Sequence, residues 1–185
     1  MQAATDTVDK QILQLYRDES TRNRSLSLLI DKYQQRLYWH IRKIVISHDD
    51  ADDVLQNTFI KIWKGLEKFN EESGIFTWAY RIATNESLNF LRQKERSKTV
   101  SIHPIEYQLS SSLESDVYFT GDEIQLKLQK AILTLPEKQR IVFNLRYYEE
   151  MPYEEMSKIL ETSVGALKAS YHIAAKKVEE MLKDG

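Results

Sequence analysis

Helix-breaking residues are rare along this chain, and that feature most constrains its fold. Only five glycines and three prolines occur in 185 residues, while apolar residues recur at the three- and four-residue spacing of amphipathic helices. No segment shows the strict alternation expected of a half-buried strand. We therefore predict an all-α protein. The predicted helices cover residues 6–18, 22–46, 50–67, 77–95, 123–134, 137–149, 153–160 and 164–182.

The helical periodicity is lost between residues 98 and 122. Serines, Pro104 and Gly121 interrupt every repeat in this segment. The break predicts two small helical domains, residues 1–97 and 123–185, joined by a partly irregular linker at 98–122. Because the linker also contains many apolar residues, we expect it to lie along a partner.

Composition excludes several classes of protein. A hydrophobic fraction of 42% and a charged fraction of 29% are typical of a soluble globular chain. The sequence has neither eighteen consecutive apolar residues nor a secretory signal at its N-terminus, which favours a cytoplasmic protein. No cysteine is present, and the four histidines lack ligand spacing, so we expect no metal site and no cofactor. No nucleophile–base pair or phosphate-binding loop can be assembled, so no catalytic residue is expected and the protein is not predicted to be an enzyme.

The C-terminal domain carries a helix-turn-helix pattern. Residues 153–168 (YEEMSKILETSVGALK) are typical of a short helix, a polar turn with Thr162 or Ser163 as N-cap, and the start of a longer helix. An ordinary helical hairpin is the alternative. One stripe of the last helix is predicted to be buried and comprises Leu167, Tyr171, Ala174 and Val178. The opposite face is predicted to contact duplex DNA and comprises Lys168, Ala169, Ser170, His172, Ile173 and Lys176.

An aromatic and basic helix is predicted about eighty residues upstream. One ridge of it combines arginine for phosphate contacts, asparagine for base edges and an aromatic ring for stacking. The ridge comprises Trp78, Arg81, Asn85, Asn89, Arg92 and Arg96. The loop before it, residues 68–76, is predicted to form a pocket for a flipped base through Phe69, Asn70, Ser73 and Phe76. Core packing is the competing interpretation for Trp78, Tyr80 and Phe90.

A third helix opens with four aspartates within residues 49–53. Acids in a first turn interact favourably with the helix dipole, which is the simplest explanation of them. The buried face of this helix is predicted to comprise Val54, Leu55, Thr58, Phe59, Ile62 and Leu66. Its outward face comprises Asp53, Gln56, Asn57, Ile60 and Lys64. Phosphates would be repelled by such a face, so it is predicted to dock on a protein.

Three segments resemble, in the same order, those of a known family. Residues 50–63 (DADDVLQNTFIKIW), 76–85 (FTWAYRIATN) and 135–148 (LPEKQRIVFNLRYY), with the helix-turn-helix after them, are similar to bacterial RNA polymerase sigma factors of the extracytoplasmic function (ECF) group. Together they span most of residues 25–182. The resemblance implies a protein without catalysis of its own that confers promoter recognition and melting on core polymerase.

The resemblance also implies roles for individual residues. It implies that the clamp of the largest polymerase subunit is contacted by Asp50, Asp53, Gln56 and Asn57, with Ile60 as the apolar anchor on the same face. The loop 68–76 and the arginine–asparagine ridge would bind the single-stranded minus-10 element. The outward face of the last helix would contact the duplex minus-35 element. Where many relatives carry arginines in that helix, this chain has Ser170, Ile173 and Ala175, so the resemblance implies minus-35 binding but not a particular phosphate anchoring or promoter sequence.

The expected partners are therefore core RNA polymerase, promoter DNA in duplex and single-stranded form, and an anti-sigma factor. We expect a monomer when these are absent, and no small-molecule substrate. The expected location is the cytoplasm, on the nucleoid or held at the inner membrane by the anti-sigma factor. The alternative function is a two-domain helix-turn-helix regulator that acts without replacing a sigma factor. The acidic helix and the arginine–asparagine ridge argue against it, because a sensor domain needs neither.

Overall fold

The computed structural model describes residues 7–70, 73–97 and 123–183, and all regular secondary structure in these ranges is helical. The α-helices are α1 (Thr7–Arg17), α2 (Arg22–Val45), α3 (His48–Gly65), α4 (Ile75–Ser97), α5 (Glu123–Leu133), α6 (Glu137–Tyr147), α7 (Tyr153–Leu160) and α8 (Val164–Lys183). A short 3-10 helix (Leu66–Lys68) follows α3. The all-α prediction is confirmed, and each predicted helix is present with bounds that differ by two residues at most. The predicted linker, residues 98–122, lies outside the described residues.

The N-terminal helices pack as a bundle around α2. Leu29, Tyr33, Leu37 and Ile41 follow one another at four-residue intervals along α2, and all are buried. Asp9 of α1 is also buried, and its carboxylate accepts hydrogen bonds of 2.6 Å from the Tyr33 hydroxyl and from Lys32 Nζ. A charge this deep is stable only when it is paired, so this contact fixes α1 against α2.

The chain turns sharply between α2 and α3. Ile46 has φ 67° and ψ −48°, and the Ser47 amide donates to the Val45 carbonyl at 2.8 Å, which is a γ-turn. This conformation is strained for a β-branched residue, and complete burial of the Ile46 side chain offsets the strain. Ser47 then caps α3, because its hydroxyl accepts from the Asp50 amide.

The C-terminal helices α6 to α8 begin and end at identifiable signals. Pro136 and Pro152 each occupy the N-cap of the helix that follows, one residue before its first turn. Glu161 adopts the left-handed conformation with φ 50° and ends α7. Ser163 caps α8 by accepting from the Ala166 amide at 3.3 Å, whereas the Thr162 hydroxyl donates to the Leu160 carbonyl. Ser163 is therefore the N-cap.

The two groups of helices pack against each other. Helix α4 lies against α7, and α2 lies against α6. Ile141, Met156 and Ile159 of the C-terminal helices belong to the same buried cluster as the core of α2 and α4. Two domains were predicted from the sequence, but their packing against each other was not. Among the helices of the described ranges, none is long and apolar enough to cross a membrane.

Candidate nucleic-acid and protein interfaces

The outward face of α3 is exposed as predicted. Asp53, Gln56 and Asn57 are exposed, and Ile60 exposes half of its surface although it is apolar. On the opposite side of the helix, Val54, Leu55, Thr58, Ile62 and Leu66 are buried, and Phe59 is partly buried. The packing of this helix therefore leaves an apolar side chain within a polar, acidic surface, which is a suitable composition for a protein-docking site.

Asp50 differs from the other predicted docking residues. Its carboxylate accepts a hydrogen bond from Lys94 in the last turn of α4, and only 18% of the side chain is exposed. This pair joins the beginning of α3 to the end of α4. A structural role is thus evident for Asp50, whereas Asp53 one turn later faces solvent.

The loop before α4 borders a cavity of about 480 Å³. It is lined by Lys68, Phe69, Asn70, Ser73, Thr77, Trp78, Arg81 and Lys158. Five residues of the predicted minus-10 set are thereby brought together. Phe76 lies elsewhere: its ring packs on the Tyr80 ring at 4.4 Å, and the Arg36 guanidinium lies 4.5 Å from its centroid. Lys68, Thr77 and Lys158 complete the lining but were not in the predicted set.

Trp78 forms a fixed wall of this cavity. Its ring lies 5.0 Å from the Phe69 ring, and a Cβ atom added to Gly65 would come within 2.8 Å of it. Only glycine therefore allows Trp78 to approach the end of α3 so closely. Trp78 and Phe90 are partly buried and Tyr80 is fully buried, so the core interpretation holds completely for Tyr80 and in part for the other two.

The rest of the α4 ridge is divided between two smaller spaces. Asn85 and Arg92 line a cavity of about 390 Å³ between the N- and C-terminal helices, and the Arg92 guanidinium lies 3.6 Å from Glu137 of α6. Asn89 lines a space of about 110 Å³ together with Asn57 of α3. Arg96 is exposed in the last turn. All four side chains are exposed, as expected of a ridge that the core does not use.

The outward face of α8 is also exposed. Lys168, Ala169, His172, Ile173 and Lys176 are exposed, while Leu167, Ala174 and Val178 are buried and Tyr171 is partly buried. Lys168 lies over the Tyr153 ring, with Nζ 5.7 Å from the centroid, and Lys176 pairs with Glu180 at 3.8 Å. Ser170 is the exception in the predicted set, because it is half-buried and faces the cavity that Asn85 and Arg92 line.

The loop cavity combines basic and aromatic groups. Within residues 7–70, 73–97 and 123–183, no cluster of three histidine or carboxylate side chains could hold a metal ion. The basic and aromatic groups of the loop cavity suit an anion joined to a planar base, because arginine and lysine pair with phosphate and aromatic rings stack on bases. The sequence pattern identified Phe69, Trp78 and Arg81 among these groups, because they share a loop or one face of a helix.

Two family models match the chain. Residues 29–97 match "Sigma-70 region 2", and residues 125–178 match "Sigma-70, region 4". The first range contains α3 with its acidic face, the loop cavity and the α4 ridge. The second contains the helix-turn-helix. The matched ranges therefore contain all three candidate surfaces.

Two relatives and one solved structure agree with these matches. The RNA polymerase sigma-H factor of Pseudomonas aeruginosa is 28% identical, with 97% of this chain and 96% of the relative covered. The ECF RNA polymerase sigma-E factor of Haemophilus influenzae is also 28% identical, with 86% and 88% covered. CnrH, solved in complex with the cytosolic domain of CnrY, has the same fold, with a TM-score of 0.69, 20% identity and coverage of 98% and 99%. With its two sigma-70 regions in order and sigma-factor relatives that align over most of their length, this chain belongs to the ECF group of RNA polymerase sigma factors.

Proposed function

We propose that this sigma factor uses three separate surfaces during initiation. The outward face of α3 docks on the clamp of the largest subunit of core polymerase. The loop cavity and the α4 ridge hold the single-stranded minus-10 element, and the outward face of α8 contacts the duplex minus-35 element. The proposal divides the chain into three parts. Residues 1–97 bind core polymerase and the minus-10 element, residues 98–122 are the linker, and residues 123–185 bind the minus-35 element.

The loop cavity supports the proposal most directly. A regulator that binds only duplex DNA has no use for a pocket with aromatic walls and basic side chains on a domain without a helix-turn-helix. The space of about 480 Å³ accommodates one nucleobase, with the Trp78 and Phe69 rings available for stacking and Arg81 for the phosphate. This surface favours a protein that helps to melt promoter DNA.

The composition of α8 supports a modest role in duplex recognition. Its outward face carries Lys168, His172 and Lys176 but no arginine, and arginine makes the commonest specific contact to guanine. Phosphate and shape contacts therefore supply most of the affinity, and core polymerase adds the rest by holding both domains on one promoter.

An anti-sigma factor belongs to the proposed partners. CnrH, which shares the fold, was solved with the cytosolic domain of CnrY, and such a partner would keep this chain from polymerase until a signal arrives. The chain itself performs no catalysis, acts as a monomer in the cytoplasm, and reaches the nucleoid within polymerase or the inner membrane with a membrane-anchored anti-sigma factor.

Docking through α3 is tested by charge reversal. Asp53→Arg should weaken binding to core polymerase by about a hundredfold or more, because a charge that attracts the partner is replaced by one that repels it. The matched control is Asp31→Arg, which reverses an exposed acid on α2. Fluorescence anisotropy of labelled protein titrated with core polymerase measures both. If the two variants bound core polymerase with equal affinity, α3 would not be part of the interface.

The cavity is tested by Arg81→Met, which retains the apolar stem but removes the charge. Loss of one charge-assisted phosphate contact should reduce open complexes by about tenfold, as measured by permanganate reactivity of unpaired thymines. Arg24→Met, at an exposed position of α2, is the control and should stay within about twofold of the unmodified protein. If the two variants melt DNA equally well, the cavity does not hold the minus-10 element.

A further inference from the structure

A second hollow adjoins the loop cavity and shares Phe69 with it. The hollow has a volume of about 250 Å³ and lies where the end of α1, the start of α2 and the 3-10 helix after α3 meet. Phe69 lines both spaces, so they are neighbours on one surface. The sequence pattern assigned Phe69 to base binding but gave no role to Tyr16, Arg22 or Glu67, which line the hollow with it.

Two aromatic rings of the hollow are held in place by their own neighbours. The Tyr16 ring packs edge-on against the Trp63 ring, with centroids 4.9 Å apart, and the Tyr16 hydroxyl donates to the Trp63 carbonyl at 3.4 Å. The Phe69 ring packs on the Trp78 ring at 5.0 Å. Tyr16 and Phe69 are only partly buried, so each offers a preorganised surface on which a nucleobase can stack.

Arg22 provides a positioned cation at the same place. Its Nε donates to the Tyr16 carbonyl at 3.1 Å, and its guanidinium lies 5.3 Å from the centroid of the Tyr16 ring. Among the residues that the structure describes, no carboxylate forms an ion pair with Arg22, and the residue is exposed. Its terminal nitrogens can therefore donate to a phosphate, which arginine binds in bidentate fashion.

Glu67 adds an acid to the lining of the hollow. It is exposed within the 3-10 helix, and in the described part of the chain it does not pair with Arg22. A carboxylate repels phosphate but accepts hydrogen bonds from the amino groups of adenine, cytosine and guanine, which thymine lacks. The two charges together therefore orient a nucleotide, with its phosphate at Arg22 and the edge of its base at Glu67.

We infer that this hollow binds a second unpaired nucleotide of the strand that the loop cavity holds, and that Glu67 selects a base with an amino group. This inference rests on the proposed function of the loop cavity. Because Phe69 borders both spaces, the two nucleotides are close neighbours in the strand. Arg81 in the loop cavity and Arg22 in the hollow then hold two phosphates of one strand.

The phosphate contact is tested with polymerase assembled from the full chain. Arg22→Met should reduce open complexes by about fivefold, measured by permanganate reactivity of unpaired thymines, and should lower the salt dependence of promoter binding by about one counterion. Arg22→Lys keeps the charge and should restore both quantities to within about twofold. Arg24→Met, at an exposed position of the same helix, is the control and should change neither.

The base contact is tested by Glu67→Gln on promoters in which each position of the minus-10 element and its flanks is varied. With the unmodified protein, thymine at one position should reduce open complexes by about fivefold relative to an amino-bearing base. Glutamine can donate to thymine O4, so Glu67→Gln should reduce this penalty to within about twofold. The base preferences at all other positions should stay as they are.

The alternatives give different results. A purely structural role of Arg22, through its bond to Tyr16, would lower the melting temperature or the affinity for core polymerase and leave the salt dependence unchanged. That result would overturn the phosphate contact, and unaltered base preferences in Glu67→Gln would overturn the selection by Glu67. The proposed function fails separately, because open complexes would then be insensitive to Arg81→Met, whatever the result at Arg22.

Discussion

At the scale of single residues, two glycines at opposite ends of their helices have opposite roles. Gly65 ends α3 against the Trp78 ring, whereas Gly165 in the first turn of α8 has open space where a Cβ would stand. Gly65→Ala should reduce the free energy of unfolding by about 1–2 kcal/mol through overpacking. Gly165→Ala should increase it by about 0.5 kcal/mol through lower entropy of the unfolded chain. Urea unfolding measures both changes in the free energy of unfolding. If the two changes had the same sign, the packing of Trp78 against Gly65 would be contradicted.

His40 provides a prediction about pH. It is completely buried, its Nε2 lies 2.9 Å from the Thr84 hydroxyl, and its ring lies 4.8 Å from the Tyr80 ring. Burial, with a smaller contribution from Lys43, lowers the pKa of His40 to about 3. Since the unfolded chain takes up a proton near pH 6.5 and the folded chain does not, stability is lost as pH falls from about 6.5 toward 3.

Between pH 7.5 and 5.5 this difference amounts to about 1.4 kcal/mol in the free energy of unfolding. The variant His40→Gln, which cannot titrate, should lack this part of the pH dependence. Chemical denaturation at both pH values gives the comparison. An identical pH dependence in the two proteins would show that the pKa of His40 is the same in the folded and the unfolded chain.

Most residue assignments that depend on one helix alone were predictable from sequence. The exposed face of α3 and the exposed face of α8 follow from helical spacing, because a helix that buries one stripe must present the opposite one. Asp50 and Ser170 departed from the pattern, because Asp50 is paired with Lys94 of another helix and Ser170 faces the cavity between the two groups of helices. Lys94 lies 44 residues from Asp50, and no periodicity reports a contact at that distance.

At the scale of elements, the helix boundaries were predictable because their signals are local. Pro136, Pro152 and Ser163 precede helices, and each acts within one turn of its own position. The 3-10 turn after α3 and the γ-turn at Ile46 were not predicted. The γ-turn depends on tertiary packing, because burial of the Ile46 side chain offsets the strain of its positive φ.

The orientation of α8 leads to a prediction about two adjacent residues. Ile173 exposes 46% of its surface, whereas Ala174 is fully buried. Ile173→Arg should change the free energy of unfolding by no more than about 0.5 kcal/mol. The added phosphate contact should strengthen binding to duplex DNA and steepen its dependence on salt concentration by about one counterion.

Ala174→Arg places the same charge one residue later, in the core of the C-terminal domain. Burial of an unpaired charge should destabilise that domain by about 3 kcal/mol or more. Thermal unfolding and DNA titration at several salt concentrations distinguish the variants. If α8 were rotated so that Ile173 was buried and Ala174 exposed, Ile173→Arg would destabilise the domain and Ala174→Arg would strengthen DNA binding.

At the scale of the whole molecule, three exposed surfaces lie on separate helices, and the proposed function assigns all three to one partner assembly. The acidic face of α3 favours protein, the loop cavity favours an unpaired base, and α8 suits a duplex groove. Family membership explains why one chain carries all three. The closed packing of the domains was not predictable, because Glu149 and Tyr80 are 69 residues apart and their contact leaves no periodic signal.

Promoter-directed transcription tests this account most directly. Core polymerase free of other sigma factors is combined with the purified chain and a library of promoter fragments, and the 5′ ends of the transcripts are sequenced. We predict initiation at a discrete set of promoters that share minus-35 and minus-10 elements and that core polymerase alone does not use. Tight DNA binding by the chain alone, without promoter-specific transcripts when polymerase is present, would contradict the account and indicate a helix-turn-helix regulator instead.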